Sequence, residues 1–141
     1  MFDPFVRSTD PLLHGLSSLV GEHDFSGFAN LSPVLPGAHP RNPVRQIARF
    51  DVCPDPEGGG IRLEVESTGF LYRQVRNMVG VAVHVAQGRV EPGIVGRLLE
   101  TADRRLAPKN CGAPPHGLFL HSCSYGAVPD RGGPGEAPAR P

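Results

Sequence analysis

The chain has 141 residues, a length typical of one domain with a single core. Its 14 basic and 14 acidic side chains cancel, so the net charge indicates neither a nucleic acid, nor a membrane surface, nor an acidic substrate. The three cysteines form no Cys-x-x-Cys pair, which argues against a disulfide scaffold and a zinc site. The sequence shows no apolar run of ~18 residues, which argues against a membrane span. The N-terminus does not resemble a secretion signal, so we expect an intracellular protein.

The N-terminal segment carries the first helical pattern. Leucine side chains recur at helical spacing after Pro11 and predict a helix over about residues 10–20, closed at Gly21. The polar residues 22–24 place a histidine between two carboxylates, but neighbours in sequence rarely converge on one atom. We therefore interpret them as a capping or turn sequence.

Two strands are predicted next, joined by a turn. Apolar and polar residues alternate over residues 44–52, with one exception at Gln46 and Ile47, and over residues 61–67 without exception. The glycine- and proline-rich residues 54–60 lie between them. This arrangement is typical of an antiparallel hairpin.

The longest helical pattern follows the hairpin. Apolar side chains recur at helical spacing from Leu71 to Ala86, which predicts an amphipathic helix that ends at Gly88 and is capped by Ser67 or Thr68. The face opposite the apolar stripe would then be basic and rich in amides, with Arg73, Arg76, Asn77, Gly80, His84 and Gln87. A glycine in mid-helix costs ~1 kcal/mol relative to alanine, so Gly80 indicates that backbone or a ligand passes close to this helix.

The remaining chain is predicted to hold one more helix and one more strand. Pro92 and the apolar spacing after it predict a helix over residues 92–101. The apolar and aromatic residues 117–125 predict a third strand, with Leu118 and Leu120 inward.

The element order determines the expected fold class. Helices and strands in this order are typical of an α/β sandwich, a mainly antiparallel sheet with helices packed on one face. We expect one domain over residues 1–125, followed by a disordered glycine- and proline-rich tail over residues 126–141.

Local charge departs from the neutral total. Residues 70–109 contain seven basic and three acidic side chains, a net charge of +4, and Lys109 is the only lysine among them. Arginine offers a planar fork that suits phosphate oxygens and stacks on bases, so RNA is a reasonable partner. A solvated basic surface is the alternative, since such faces are common on helices.

Three segments together resemble one family. They are residues 21–28, GEHDFSGF, residues 70–80, FLYRQVRNMVG, and residues 113–120, APPHGLFL, followed by Tyr125. In order and spacing they are similar to the C-terminal half of TruA-type tRNA pseudouridine synthases. The resemblance implies a pseudouridine-synthase-like half domain that takes part in isomerising uridine to pseudouridine in tRNA, without a cofactor.

The resemblance also implies roles for individual residues. Arg76, in the Val-Arg-Asn segment, corresponds to the family's arginine that forms an ion pair with the catalytic aspartate. Leu118 and Leu120 resemble the apolar strand that lines the base pocket. The basic face of the long helix is expected to contact RNA through Arg73, Asn77, His84 and Arg89.

The family's catalytic aspartate lies in an Arg-Thr-Asp-x-Gly motif that this sequence does not contain. Asp10 follows Thr9 but precedes Pro11, so it is not assigned that role. We therefore expect a fragment, a truncated gene model or a relic, inactive alone, that binds tRNA and no membrane. Its expected protein partner is the missing N-terminal half or a second copy.

Two hypotheses from other functional classes remain open. The chain is either a non-catalytic RNA-binding module that uses the basic helix face, or a structural partner whose Arg76 pairs with a carboxylate of another chain.

Overall fold

The computed structural model describes residues 10–30, 36–37, 42–55, 57–58 and 60–124. Three helices and three strands of the described chain run in the order α1 (Asp10–Ser17), β1 (Gly21–Asp24), β2 (Val44–Pro54), β3 (Ile61–Ser67), α2 (Gln74–Ala86) and α3 (Ile94–Thr101). Single 3-10 turns lie at Ser26–Phe28, Arg104–Leu106 and Pro115–Gly117. The fold is α/β, and its sheet is antiparallel, as predicted.

The sheet has the strand order β1-β2-β3. The predicted hairpin is confirmed, since β2 pairs antiparallel with β3 from Ile47 opposite Ser67 to Pro54 opposite Ile61. The third strand is β1, which pairs with the beginning of β2 and places Gly21 opposite Ile47.

A bulge in β2 explains the one exception in its alternating pattern. The pairing register shifts between Ile47 and Arg49, so one residue of β2 has no partner across the ladder. Ile47 is therefore fully buried while Ala48 is exposed. Plain alternation from Val44 would place Ala48 on the apolar side, which is wrong because the bulge changes the phase of the strand by one residue.

The two faces of the hairpin differ sharply in polarity. Beyond the bulge, Phe50 pairs with Val65 on the side that packs against the core. On the other side Arg49 bonds Asp51, Glu64 and Glu66 at 2.6, 3.0 and 3.4 Å. The hydrogen bond from Arg49 holds the pKa of the Glu64 carboxyl below its usual range. The helices and the core thus lie on the apolar face.

One core fills the space between this sheet face and the helices. α1 packs against α2 and β2, and α3 packs against β1 and the turn Ser26–Phe28. The largest fully buried side chains include Phe25, Phe28, Leu16, Leu19, Ile47, Met78 and Leu98. No helix among the described residues is long and apolar enough to cross a membrane.

The predicted strand over residues 117–125 is wrong. Its start is the 3-10 turn Pro115–Gly117, and residues 118–124 form no strand. Leu118, Phe119 and Leu120 are 49, 80 and 74% exposed rather than inward. Their apolar pattern has no neighbouring strand to bond in the described part of the chain, and a strand forms only against such a neighbour. Residues 125–141, and with them the predicted tail, lie outside the described residues.

The segment read as a turn forms the third strand instead. Residues 22–24 belong to β1, and their polar sequence shows no alternation that would have marked a strand. The expected turn role is nevertheless seen at Asp24, whose Oδ1 accepts from the backbone N–H and the hydroxyl of Ser26 at 2.9 and 2.6 Å. Asp24 therefore ends β1 and begins the turn Ser26–Phe28.

Candidate functional site

Helix α2 begins later than its apolar pattern predicted. Neither Ser67 nor Thr68 caps it. Ser67 bonds the backbone of Gly69, and the residue before the helix is Arg73, with φ 61°. Gln74 closes this turn because its buried Oε1 accepts from Leu71 N–H at 2.8 Å. A non-glycine residue in the left-handed region is strained, so the surrounding bonds hold the turn in place.

That turn presents three side chains at the start of α2. Phe70 and Tyr72 are 42 and 72% exposed, and Arg73 is exposed beside them. Arg73 forms no ion pair with any described residue. Exposed aromatic rings next to a free guanidinium have the chemistry that stacks on and neutralises single-stranded nucleic acid.

Arg76 joins α2 to the segment that follows α3. Its Nε donates to the carbonyl oxygen of Ala113 at 2.7 Å, and Ala113 N–H donates to the carbonyl oxygen of Arg76 at 2.9 Å. The side chain is half-buried, and no described carboxylate lies within ion-pair distance of it. The guanidinium is therefore fixed through Nε, while its two terminal nitrogens are left to bind an acid.

Gly80 lies one turn further along the same helix and contacts the same segment. A Cβ on Gly80 would lie 1.5 Å from the carbonyl oxygen of Cys111 and 3.1 Å from the backbone nitrogen of Ala113. The predicted close approach is thus confirmed, and the group that approaches is backbone. Because the backbone of residues 111–113 lies directly on α2, it can reach both hydrogen-bonding groups of Arg76.

Asn77 is not on the exposed face where the apolar pattern placed it. It is 3% exposed, and its Nδ2 donates to the carbonyl oxygen of Phe28 at 2.8 Å and to Oδ1 of Asn30 at 3.0 Å. The helical pattern failed because it counts polar residues as outward, whereas here a polar side chain satisfies a buried carbonyl. Asn77 supports the site from inside the fold.

Replacing Asn77 tests this structural role. Asn77→Ala leaves the carbonyl oxygen of Phe28 without its donor, and we expect a loss of about 1–3 kcal/mol in the free energy of unfolding. Urea unfolding measured by circular dichroism gives the value. A loss below about 0.5 kcal/mol, the range of ordinary surface substitutions, would contradict the assignment.

The other residues predicted to bind RNA lie further along α2 and beyond its end. His84 is half-buried, and its Nδ1 is 2.9 Å from the carbonyl oxygen of Gly80. Arg89 is exposed after the turn at Gly88, whose φ of 73° ends the helix as predicted. Arg89 forms no ion pair within the described ranges. The predicted RNA residues thus separate into the exposed cations Arg73 and Arg89 and two side chains, Asn77 and His84, that bond backbone carbonyls of the fold.

Ion pairs remove two of the seven basic residues of the 70–109 region from the free positive charge. Arg97 bonds Glu91, and Arg105 bonds Asp103. The hydrogen bonds from the Arg105 side chain and backbone lower the pKa of the Asp103 carboxyl, so Asp103 stays charged. No group of three or more potential metal ligands occurs among the described residues.

Comparison with known proteins decides the family. A family model described as tRNA pseudouridine synthase matches residues 16–126. The chain belongs to this family. The matched residues include α2, the segment bound to Arg76, and the exposed Leu118 and Leu120. Every predicted site residue therefore lies inside the match.

Individual relatives agree with the family assignment. The tRNA pseudouridine synthase A 1 of Protochlamydia amoebophila is 41% identical over 105 residues, which are 74% of this chain and 39% of that protein. The tRNA pseudouridine synthase A of Pseudothermotoga lettingae is 43% identical over 105 residues, 74% of this chain and 40% of that protein. The human tRNA pseudouridine synthase-like 1 is 40% identical over 119 residues, 77% of this chain and 38% of that protein. The chain spans less than half the length of these three relatives.

Proposed function

We propose that this chain supplies the part of a tRNA pseudouridine synthase that holds an active-site arginine, Arg76, and part of the tRNA-binding surface. The geometry of Arg76 carries the proposal. Its Nε is bound to Ala113, its backbone carbonyl is bound to the same residue, and its terminal nitrogens meet no described carboxylate. A half-buried guanidinium held in this way suits one carboxylate that approaches from outside the described chain.

The reaction itself explains what such an arginine contributes. In uridine isomerisation the bond from N1 to C1′ breaks, the uracil turns, and C5 bonds to C1′. C5 then loses its proton and N1 gains one, so substrate and product have the same composition. An aspartate can attack the sugar or remove a proton only in its ionised form, and a neighbouring guanidinium keeps it ionised and fixes its direction.

Arg76 is therefore proposed as a positioning residue for a catalytic aspartate. The sequence has no Arg-Thr-Asp-x-Gly motif, so that aspartate is expected to come from the remaining part of the synthase. Leu118 and Leu120, exposed in this chain, are proposed to line the pocket for the target base once that part covers them. The partner that covers Leu118 and Leu120 is proposed to be the missing N-terminal half or a second copy of the chain.

A non-catalytic RNA-binding module is the second candidate function. The observation in its favour is the pair of exposed cations at the two ends of α2, Arg73 and Arg89, which form no ion pair with a described residue, together with the missing aspartate motif. Both candidates predict tRNA binding, and only the first predicts chemistry when the aspartate is supplied.

A chimaera separates the two. We expect the 141-residue chain alone to form no pseudouridine in tRNA. The region of Pseudothermotoga lettingae tRNA pseudouridine synthase A that aligns with this chain is then replaced by it, so that the relative supplies the rest of the synthase. We expect this chimaera to form pseudouridine.

The assay is release of tritium from tRNA labelled at C5 of uridine, because C5 loses its hydrogen in the reaction. A chimaera that binds tRNA but releases no tritium would favour the RNA-binding module. Product formed by the chain alone and abolished by Asp10→Ala would show that Asp10 is the catalytic aspartate, and that our assignment of this role to the remaining part of the synthase is wrong.

A further inference from the structure

A cleft lies between the turn after β1 and the loop after α3. The last residue of its lining, Asn110, directly precedes Cys111, whose backbone contacts α2 at Gly80. The cleft is an open groove with a volume of about 790 Å³. One wall contains Ser26, Ala29 and Asn30, and the other comes from residues 102–110. Among the described residues no aromatic side chain lines it, so they give it no ring on which a base could stack.

Three cations line the second wall, and they differ in how their charge is used. Arg105 is committed to Asp103, with Nε 3.0 Å from Oδ1 and Nη2 3.0 Å from Oδ2. Arg104 has no carboxylate partner in the described part of the chain, and its two terminal nitrogens lie 3.8 and 3.9 Å from Sγ of Cys111. A thiol is a weak acceptor, so most of the bonding capacity of Arg104 is unused.

Lys109 adds a second free charge to the same cleft. It is exposed and forms no ion pair within the described residues. An arginine fork and a lysine ammonium in one concave surface form a site for an anion with several oxygens, such as phosphate.

The first wall contributes an oriented amide. Oδ1 of Asn30 accepts from Nδ2 of Asn77 at 3.0 Å, and the backbone N–H of Asn30 donates to the carbonyl oxygen of Tyr72 at 3.1 Å. With its oxygen bonded to Asn77, the Asn30 side chain has Nδ2 left as the group that can donate to a ligand in the cleft. An anion is the ligand that suits a donor on one wall and cations on the other.

The cleft and the Arg76 site are held by successive residues of one helix. Asn77 fixes Asn30 in the first wall, and Arg76 fixes Ala113. Cys111, whose backbone lies on Gly80, directly follows the end of the second wall. An RNA that reaches Arg76 would therefore pass close to the cleft.

We propose that this cleft binds a backbone phosphate of the tRNA, through Arg104 and Lys109 with the amide of Asn30. The proposal rests on the proposed function, since it names a contact of the same substrate. Such a contact carries no sequence information. Its role is to add affinity for the RNA backbone near Arg76.

Binding of an unmodified tRNA transcript to the full chain tests the cleft. The double variant Arg104→Gln, Lys109→Gln is compared with Arg45→Gln, Arg62→Gln, which removes two positive charges from the sheet instead. Losing the contact with this one phosphate should weaken binding about tenfold near 0.1 M salt. The negative slope of log affinity against log salt should become shallower by about 0.7–0.9. The control pair should change affinity less than about twofold, because charges that contact no phosphate are largely screened by salt.

Arg104 contacts buried Cys111, so its loss could also affect folding. The single variant Lys109→Gln, at an exposed position, avoids that difficulty and should by itself weaken binding about threefold. Equal weakening by the cleft pair and the sheet pair would overturn the proposal, and so would unchanged binding by Lys109→Gln and the cleft pair.

Kinetics of the chimaera distinguish this inference from the proposed function. A phosphate contact made equally in substrate and transition state should raise KM and leave kcat unchanged when it is removed. A cleft variant with lower kcat and unaltered KM would overturn the cleft proposal while the activity of the parent chimaera still supports the function. A chimaera without activity would reject the function, and the tRNA titration would still decide the cleft.

Discussion

In the active chimaera, Arg76→Ala should lower the rate of pseudouridine formation by roughly 10²- to 10³-fold, the range seen when one preorganised charge-stabilising group is removed. The cause would be the loss of the guanidinium that keeps the aspartate ionised and oriented. Affinity for tRNA should fall little, because one cation among several contributes a small share of the electrostatic attraction. Initial rates over a range of tRNA concentrations give kcat and KM separately.

The lysine variant refines this expectation. Arg76→Lys keeps the charge, but an ammonium cannot bond Ala113 through one nitrogen and a carboxylate through two others, as the Arg76 geometry allows. We expect the variant to lose most of the rate as well. A rate near that of the parent would mean that charge alone is required and that the two-sided geometry has no catalytic role.

The second large effect concerns stability. Gly80→Ala would bring a methyl group to 1.5 Å from the carbonyl oxygen of Cys111, and the obstructing atom is backbone that cannot rotate away. The helix and residues 111–113 would have to separate, breaking both bonds between Arg76 and Ala113. We expect a loss of about 3 kcal/mol or more in the free energy of unfolding, at or above the upper end for overpacked sites.

Gly96 provides the matched control for Gly80. It also lies within a helix, α3, but a Cβ there would meet nothing within 4 Å. Gly96→Ala should therefore stabilise the chain by about 0.5–1 kcal/mol, the difference in helix propensity between the two residues. Chemical unfolding of both variants checks the pair. Similar effects of the two substitutions would mean that the contact with Cys111 does not constrain the fold.

The elements that the sequence predicted well are those with a clear apolar period. The hairpin and the helices α2 and α3 bury one side of a regular pattern, so composition and spacing suffice to locate them. Strand β1 could not be located this way. Apolar and polar side chains do not alternate over its residues Gly21–Asp24. These residues form a strand because the edge of β2 is there to pair with.

The sequence predicted the site where an unusual residue has a single physical explanation. Gly80 in mid-helix indicated a close approach, and Cys111 makes it. Asn77 was misplaced because its neighbour across the core, the carbonyl of Phe28, is 49 positions away in sequence. The cleft was equally hidden, since only the fold shows that Arg105 is neutralised by Asp103 while Arg104 and Lys109 form no ion pair with any described residue.

Single-turnover tritium release by the chimaera, with Arg76→Ala and Arg73→Ala measured side by side, tests the role of Arg76 most directly. Both arginines lie at the start of α2, but only Arg76 is fixed to Ala113, and Arg73 is exposed. At saturating enzyme, Arg76→Ala should lose nearly all of the rate, and Arg73→Ala should keep most of it while binding tRNA more weakly. If both variants lose only affinity, Arg76 is one more cation of an RNA-binding surface and holds no catalytic carboxylate.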